Sequence, residues 1–418
     1  VLFVHPSKMS SSLSFTDLKA SNDGKHLSFE VNGVNVAVVN ALRRCIVSHV
    51  PTVAFDYNPA CHPQQLPQCG ILIRANTSPI HNEMLGHRLS LVPICLDEKQ
   101  MAAFVEDPMM YTFALRVQND SPDVKLVTTK DINVYDKSGT PVPSSVRDGL
   151  FPACKVTGDH VILTKLNPGL QQDDGGKVEL ECVASVGTEY KHSRWCPVSV
   201  CYFVNKIDPE AAELALRDRG IQPGSPEAAQ FYTLDALRYY HKNEYGEANA
   251  FEFRLESECG LRASFLVHQG LTVALERVRG IRRAIEERNT SKVAIASTAE
   301  IAQASDNPTE KARSTARSQE QDTGGLYNII VSHEDHTSGN LIQAMIYEKN
   351  FRRVEKEKSE ITYIGYHQPH PLEHCIVFRL VMRNKSASAE AFMVANLIWV
   401  EQVLEGYISE WKAAAAKV

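Results

Sequence analysis

No stretch of this sequence could cross a membrane as a helix: a span needs roughly 18 consecutive apolar residues, and no such run occurs. The opening residues, Val1–Ser12, lack the long apolar core of a secretory leader. Because the chain begins with Val1 and not Met, the natural start is expected to be trimmed or upstream. Cysteine is sparse and scattered, with ten in 418 residues: Cys45, Cys61, Cys69, Cys95, Cys154, Cys182, Cys196, Cys201, Cys259 and Cys375. That is too thin for a disulfide framework, and free thiols in a reducing compartment are expected. Positive charge is not in excess either. Lys plus Arg is 44 against 50 for Asp plus Glu, a net charge of −6. A surface that grips nucleic acid is normally basic, so no direct specific contact with nucleic acid is expected.

Catalytic signatures are also missing. There is no P-loop, no G-x-G-x-x-G after a strand, no H-E-x-x-H and no G-x-S-x-G. Asp173 and Asp174 stand beside Gly175-Gly176, which reads as an exposed turn. Zinc and iron–sulfur sites need closely spaced ligand pairs. The nearest approaches, Cys61-His62 with Cys69 and Cys196 with Cys201, are poorly spaced. No metal and no cofactor are expected in this chain, and catalysis by it alone is not expected.

What is present is an ordinary globular composition, 43% hydrophobic and 22% charged. At about 150 residues per domain its length suggests two or three domains. Residues Ser28–Val36 alternate around Asn32-Gly33, which suggests a hairpin. Val36–Val50 has helical apolar spacing and is stopped by Pro51. Between residues 96 and 194 short β-type runs alternate with Gly, Pro, Asp and Ser turns, as in a β-rich insertion. Phe251–Glu256 reads as a strand, and Leu261–Glu287 as a long helix. Residues 291–325 are Ser/Thr/Ala/Gln-rich with almost no large apolar side chains, and read as a flexible linker in preference to a solvated helix with a loose end. Beyond it come a strand at Tyr327–Ser332, a helix at Thr337–Phe351, strands at Ile361–Tyr366 and Cys375–Met382, and a long helix at Ala389–Ala416.

The outer regions share one order: strand, helix with an Asn near its start, strand, a Pro-flanked turn and strand, then a long helix. One such layer leaves an apolar face uncovered, and two copies can cover each other. The linker would hold the second copy at high effective concentration beside the first. Two unrelated α+β domains are the alternative reading of the same periodicity.

Asn40-Ala-Leu-Arg-Arg44 followed by Val50-Pro-Thr-Val-Ala-Phe-Asp56 resembles the dimerisation helix of the RNA polymerase alpha family. That family includes bacterial alpha, archaeal D and the eukaryotic third-largest subunit. Glu83-x-Leu85-x-His87-Arg88-Leu89-x-Leu91-Val92-Pro93-Ile94 is similar to its next landmark, and Phe251-Glu-Phe-x-Leu-Glu256 to the strand before its last helix. His336-Thr337-x-Gly339-Asn340-Leu341 and Ile364-Gly365-Tyr366-x-x-Pro369-His370-Pro371 resemble the small partner subunit, archaeal L and its eukaryotic counterpart.

The resemblance implies an α+β fold with two alpha-subunit-type dimerisation domains forming an intramolecular pseudo-dimer. The larger-partner domain would be discontinuous, over 13–95 and 195–290, with the β-rich insertion at 96–194. The linker would be 291–325 and the smaller-partner domain 326–418. The chain would be a non-catalytic assembly platform of DNA-directed RNA polymerase, docking the second-largest and then the largest subunit, together with small adaptor subunits. Magnesium would belong to the large subunits. Such a fusion suits a large DNA virus, which would place it in the virion and the host cytoplasm (viral factory), and otherwise in the nucleus.

For partner binding the resemblance points to Asn40, Arg43, Arg44, Glu83, His87 and Arg88. For the intramolecular interface it points to Leu42, Ile46, Asn340, Leu341, Met345, Pro369, His370, Pro371, Leu397, Leu404 and Trp411. Plainer readings stand beside these: solvated charge for Arg43 and Arg44, a helix N-cap for Asn40, an i, i+4 pair for Glu83 and His87, and stiff packing for the Pro-His-Pro turn. Two other hypotheses remain at this point. One is a stand-alone enzyme or metal protein with a His/Cys pocket in the β-rich insertion, which replacing Cys154, Cys182 and Cys196 together would inactivate. The other is a structural protein self-associating through the last helix.

If 291–325 only tethers, deleting residues 300–315 leaves folding and partner binding intact. Loss of soluble protein on that deletion, scored by expression and gel filtration, would refute the tether.

Overall fold

The computed structural model describes residues 13–61, 65–66, 68–169, 175–297, 325–354, 357–384 and 386–417. It opens with a hairpin of β1 (Ser14–Ala20) and β2 (His26–Asn32). The turn lies at Ser21–Gly24, where Gly24 takes a left-handed conformation at φ 68° and Asp23 accepts the Lys25 N–H at 3.1 Å. The hairpin expected at Asn32-Gly33 is absent. Gly33 has positive φ, but it turns the chain directly into α1 (Val36–His49). A left-handed glycine serves either junction, so alternation around it could not choose. Asn35 caps α1 by accepting the Ala37 N–H at 2.8 Å, and Pro51 lies just past its end.

Next come β3 (Thr52–Phe55), β4 (Ile71–Asn76), α2 (Asn82–Ser90) and α3 (Glu98–Glu106). They lead into β5 (Tyr111–Gln118), β6 (Lys125–Thr128), β7 (Ile132–Asp136), α4 (Ser144–Leu150), β8 (Ile162–Leu166), β9 (Lys177–Cys182) and β10 (Ala184–Gly187). The pairings are β4-β9-β5-β7, β6-β8 and β10-β3. The β-rich body therefore starts ahead of residue 96, because β4 pairs along β9 and β3 along β10. A short apolar strand does not announce its sheet, and only these long-range ladders do.

The chain returns through β11 (Val198–Asn205), α5 (Pro209–Asp218), α6 (Pro226–Leu234), β12 (Ala250–Ser257) and α7 (Ala263–Glu286). The first sheet has the order β1-β2-β12-β11. Its inner face is Leu27, Phe29 and Val31 alternating with outward Ser28 and Glu30, the period-two pattern of a half-buried strand. Residues 206–249 form a small helical unit that the sequence pattern left merged with its neighbours. It has its own cluster of Ala212, Leu216, Ala228, Phe231 and Ala236. Both its helices begin with a capped proline, Asp208-Pro209 and Ser225-Pro226, a strong start signal.

The second half consists of β13 (Val293–Ser297), β14 (Gly325–Ser332), α8 (His336–Tyr347), a π-helical turn at Glu348–Arg352, β15 (Ile361–His367), β16 (Cys375–Met382) and α9 (Ala389–Ala415). The start of the expected linker is thus a strand: β13 pairs along β14 from Val293↔Val331 to Ser297↔Tyr327. Residues 298–324 lie outside the described residues. The second sheet has the order β13-β14-β16-β15. It repeats the first sheet role for role: the second strand feeds a short helix and the third feeds a long one.

The two layers share one apolar core. The long helices α7 and α9 pack on each other and cross toward the opposite sheet. At the end of α9, Trp411 sits edge-on to Phe15 with ring centroids 5.0 Å apart, lies 4.9 Å from Phe29, and donates its indole N–H to Ser264 O at 3.1 Å. A second-half side chain therefore plugs the first sheet. Truncation as Trp411→Ala leaves a cavity and should cost about 3–5 kcal/mol in urea unfolding of the whole chain. A loss under about 0.5 kcal/mol, the range of ordinary surface changes, would show that the plug contributes little.

Candidate functional site

The candidate site is the surface where the halves meet. Leu42 and Ile46 are buried on α1. A Cβ placed on Gly270 of α7 would fall 2.5 Å from Ile46 Cγ1 and 3.1 Å from Leu42 Cδ1, so the absent side chain lets the two helices close. Leu341 and Met345 are buried on α8, and Leu397, Leu404 and Trp411 on α9. Asn340, half-buried, lies on the same helix as Leu341. In the second half, Asn350 donates its side-chain amide to Asn396 Oδ1 at 3.0 Å, so this buried polar pair is satisfied.

A network of charges crosses the seam. Arg277 of α7 meets Glu334 Oε2 at 2.7 Å and Asp335 Oδ1 at 2.8 Å, through Nη2 in both cases. It also contacts His49 Nε2. Arg44 donates from Nε to Thr337 Oγ1 at 2.7 Å and faces Asp335 at 3.4 Å. Ser338 donates to Glu334 at 2.7 Å, while Asp335 caps α8 by accepting the Thr337 N–H at 2.9 Å. Further along, Arg282 Nε meets Glu401 Oε1 at 2.6 Å and Arg279 pairs with Glu405. In the opposite sense, Glu247 of the first half binds both terminal nitrogens of Arg352 at 2.6 and 2.7 Å. Burial by itself would raise the Asp335 carboxyl, but the hydrogen bonds from His49 and Thr337 and the Arg277 charge outweigh it. They hold it well below the ordinary carboxylate range.

Several expected positions move. Arg44, assigned to partner binding, is turned onto α8, because that helix presents its N-terminus and its capping acid there. Asn40 is not an N-cap, since that role falls to Asn35. Asn40 accepts Arg43 Nε and Nη2 at 3.1 and 3.0 Å. Pro369, His370 and Pro371 were placed in the intramolecular interface, but all three are exposed. They form the tip of the β15–β16 hairpin, which satisfies itself: His370 Nδ1 accepts the Leu372 N–H at 3.2 Å, and Gln368 donates to Glu373 O at 2.8 Å. The hairpin base does touch the first half, through Tyr190 OH and His374 Nδ1 at 2.9 Å.

Glu83 and His87 are exposed on α2, 4.0 Å apart, beside Met84 at 55% and Leu91 at 58% exposure. Arg88 donates to Ile162 O at 2.9 Å, which ties α2 to the β6-β8 ribbon and so is partly structural. Sequence reasoning missed Arg277, Glu334, Asp335, His49, Glu247 and Arg352. One available signal was a basic residue inside the apolar stripe of a long helix.

The thiols do not assemble into chemistry. Burial pushes Cys45 and Cys201 up to about 12, and a protonated thiol is a poor nucleophile. Cys182 is buried in β9, while Cys154 is exposed on a loop. Among the described residues no group of three or more His, Cys, Asp or Glu could hold a metal ion. Asp173, Asp174 and His62 lie outside the described residues.

Comparison with known proteins agrees with this architecture. Residues 28–277 match the RNA polymerase Rpb3/Rpb11 dimerisation domain, and residues 327–397 match a second version of that domain. The chain is 28% identical over 191 residues to the DNA-directed RNA polymerases I and III subunit rpac1 of Dictyostelium discoideum, covering 43% of this chain and 48% of that one. It is 26% identical over 215 residues to the human subunit RPAC1, covering 46% and 56%. It is also 26% identical over 194 residues to the RNA polymerase subunit Rpo3 of Methanobrevibacter smithii, covering 45% and 57%. The chain thus spans about half the length of these curated relatives.

The charge network sets a measurable pH dependence. Asp335 is depressed in the folded chain, so its stabilisation is complete above its ordinary value of 3.8 and is lost as the pH falls below that toward the folded value. Asp335→Asn should be less stable near neutrality yet lose less stability than the natural chain between about pH 5 and pH 3. Parallel losses in thermal unfolding midpoints would exclude Asp335 as the source.

Proposed function

Because the chain belongs to the RNA polymerase Rpb3/Rpb11 dimerisation-domain family, we propose that it is a non-catalytic assembly subunit of a multisubunit DNA-directed RNA polymerase. In this reading the larger-partner and smaller-partner subunits are fused, and the halves pair in cis. The platform docks the second-largest subunit and then the largest, and adaptor subunits join. Magnesium and the chemistry of RNA synthesis belong to the large subunits. The joining of both partners in one chain favours a large DNA virus, with the protein in the virion and the host cytoplasm.

One observation carries this reading: two copies of one dimerisation fold bury their apolar faces against each other while the α2 face stays uncovered. That face carries Met84, Leu91, Glu83 and His87, and the exposed Ile162 and Leu126 lie on the ribbon that Arg88 holds beside it. Exposed apolar residues rimmed by polar ones mark interaction sites. The stand-alone enzyme reading finds no support in the relatives or in the thiol positions.

Affinity purification of tagged chain from its source should recover two very large partner chains and DNA-templated RNA synthesis that the isolated chain lacks. Met84→Glu with Leu91→Glu should cut their capture at least tenfold, about 1.4 kcal/mol, with unchanged folding by circular dichroism. Recovery of the chain alone would sink the platform reading. Unchanged capture by the double variant would remove only the α2 face.

A further inference from the structure

The second sheet repeats the first strand for strand, β13-β14-β16-β15 against β1-β2-β12-β11. As β2 feeds α1, so β14 feeds α8. β13 therefore stands where β1 stands, as the outer strand of a hairpin. In the first half that hairpin turns through residues 21–25. In the second, residues 298–324 connect the same two positions, since Ser297 closes β13 opposite Tyr327 of β14. They leave and re-enter one sheet, and do not lead from one half to the other. The covalent step between the halves is the stretch from the end of α7 to the start of β13, Glu287–Lys292.

That stretch is held by short-range bonds. Arg288 takes a left-handed conformation at φ 51°. Its N–H donates to Ile285 O at 3.1 Å, and the Asn289 N–H donates to Ala284 O at 2.9 Å, the paired bonds of a helix closed by a left-handed residue. Asn289 then makes the turn. Its carbonyl accepts the N–H groups of Lys292 and Val293 at 3.1 and 2.9 Å, and its Oδ1 accepts the Ser291 N–H at 3.2 Å and the Ser291 hydroxyl at 2.6 Å. The ladder of the second sheet starts at once: Lys292 O accepts the Ser332 N–H at 2.8 Å, and Val293 is buried. The stretch is also tied sideways. Arg288 lies 3.8 Å from Glu390 in the first turn of α9, and the Lys292 ammonium folds back to within 3.0 Å of where a Cβ on Gly280 of α7 would stand.

We propose that Glu287–Lys292 is a rigid joint that sets the angle at which α7 meets the second sheet, and that residues 298–324 do not tether the halves. A flexible linker acts only by raising local concentration, and its freedom is lost when its ends are brought together. A joint whose bonds join the end of α7 to the first pair of the ladder has little freedom to lose. It makes the helix that crosses the seam and the edge strand of the second sheet one body. A non-glycine residue is uncommon in the left-handed region, and here Arg288 is kept there by the contacts on both sides of it. Lengthening 298–324 then leaves the second sheet as it is, whereas loosening the joint frees its edge. The inference concerns the connection alone and holds whatever the platform carries.

The test is hydrogen exchange on the full chain, read over Val293–Ser297 and Gly325–Ser332, with β9 of the β-rich body as the reference. Local opening of an edge strand shows directly in these rates. A Gly-Ser-Gly-Ser-Gly-Ser insertion between Thr290 and Ser291 should speed exchange in β13 and β14 at least tenfold. The same insertion between Thr309 and Glu310 should change it less than twofold. Equal effects from the two insertions, or no effect from the first, would overturn the proposal. If the joint insertion prevents folding, Asn289→Ala answers in its place, because it removes the acceptor of Ser291 and touches no strand. It should speed exchange in β13 at least threefold and leave β9 unchanged. Equal acceleration in β13 and β9, or none in β13, would equally overturn it.

Discussion

A four-stranded sheet with helices on one side has a single covered layer, and the crossing of α7 over α9 is what supplies the second. Each sheet keeps a row of Phe, Leu, Ile and Val on its inner face. Neither row can be hidden by two helices of its own half. The long helices therefore run past their own sheet and reach the other, and Trp411 at the far end of α9 fills the space between Phe15, Phe29 and α7. Other features follow from that crossing. Gly270 is bare because α1 must lie against α7 at that height. The N-terminus of α8 then falls beside α1 and α7, where Arg44 and Arg277 meet its capping acid.

Those charges need a physical account, because a buried ion pair rarely adds stability over apolar residues of similar size. The seam here could have been apolar throughout. What the ions provide is orientation. Arg277 fixes which helix start approaches α7, and Arg282 with Glu401 fixes the crossing farther along. The bidentate Glu247–Arg352 pair adds a strap from the helical unit of the first half to the π-helical turn of the second. The π-turn itself has a local cause. The first-half helix is stopped by Pro51, whereas the second half has no proline at the matching place and its helix widens before it ends.

Much of this was legible in the sequence. The long helices, the strands around them and the repeat were all readable from apolar spacing, because each element has one buried stripe of regular period. The family motifs located the two dimerisation units. What could not be read was pairing between distant segments. Nothing local in Ile71–Asn76 says that it joins β9, or in Val293–Ser297 that it edges the second sheet. Of the apolar positions named for the interface, all seven are buried, with Trp411 and Met345 where the halves meet, whereas the charged part of the site was mostly illegible. Arg44 looked solvated because its own helix leaves it outside. Only the arrival of Asp335, nearly three hundred residues on, makes it a half-buried contact across the seam. The Pro-His-Pro turn failed for the opposite reason: stiffness suggested packing, but the turn closes on itself.

The halves also differ in what they carry. The first is interrupted twice, by the β-rich body that follows α1 and by the helical unit between β11 and β12. At the matching places the second has only a short loop after the π-turn and a tight hairpin. A symmetric dimer offers each surface twice. This pseudo-dimer offers the α2 face once, since among the described residues α8 is followed by no counterpart of α2. Under the function proposed above, that asymmetry sets stoichiometry by geometry: a face that occurs once admits one copy of the partner that fits it.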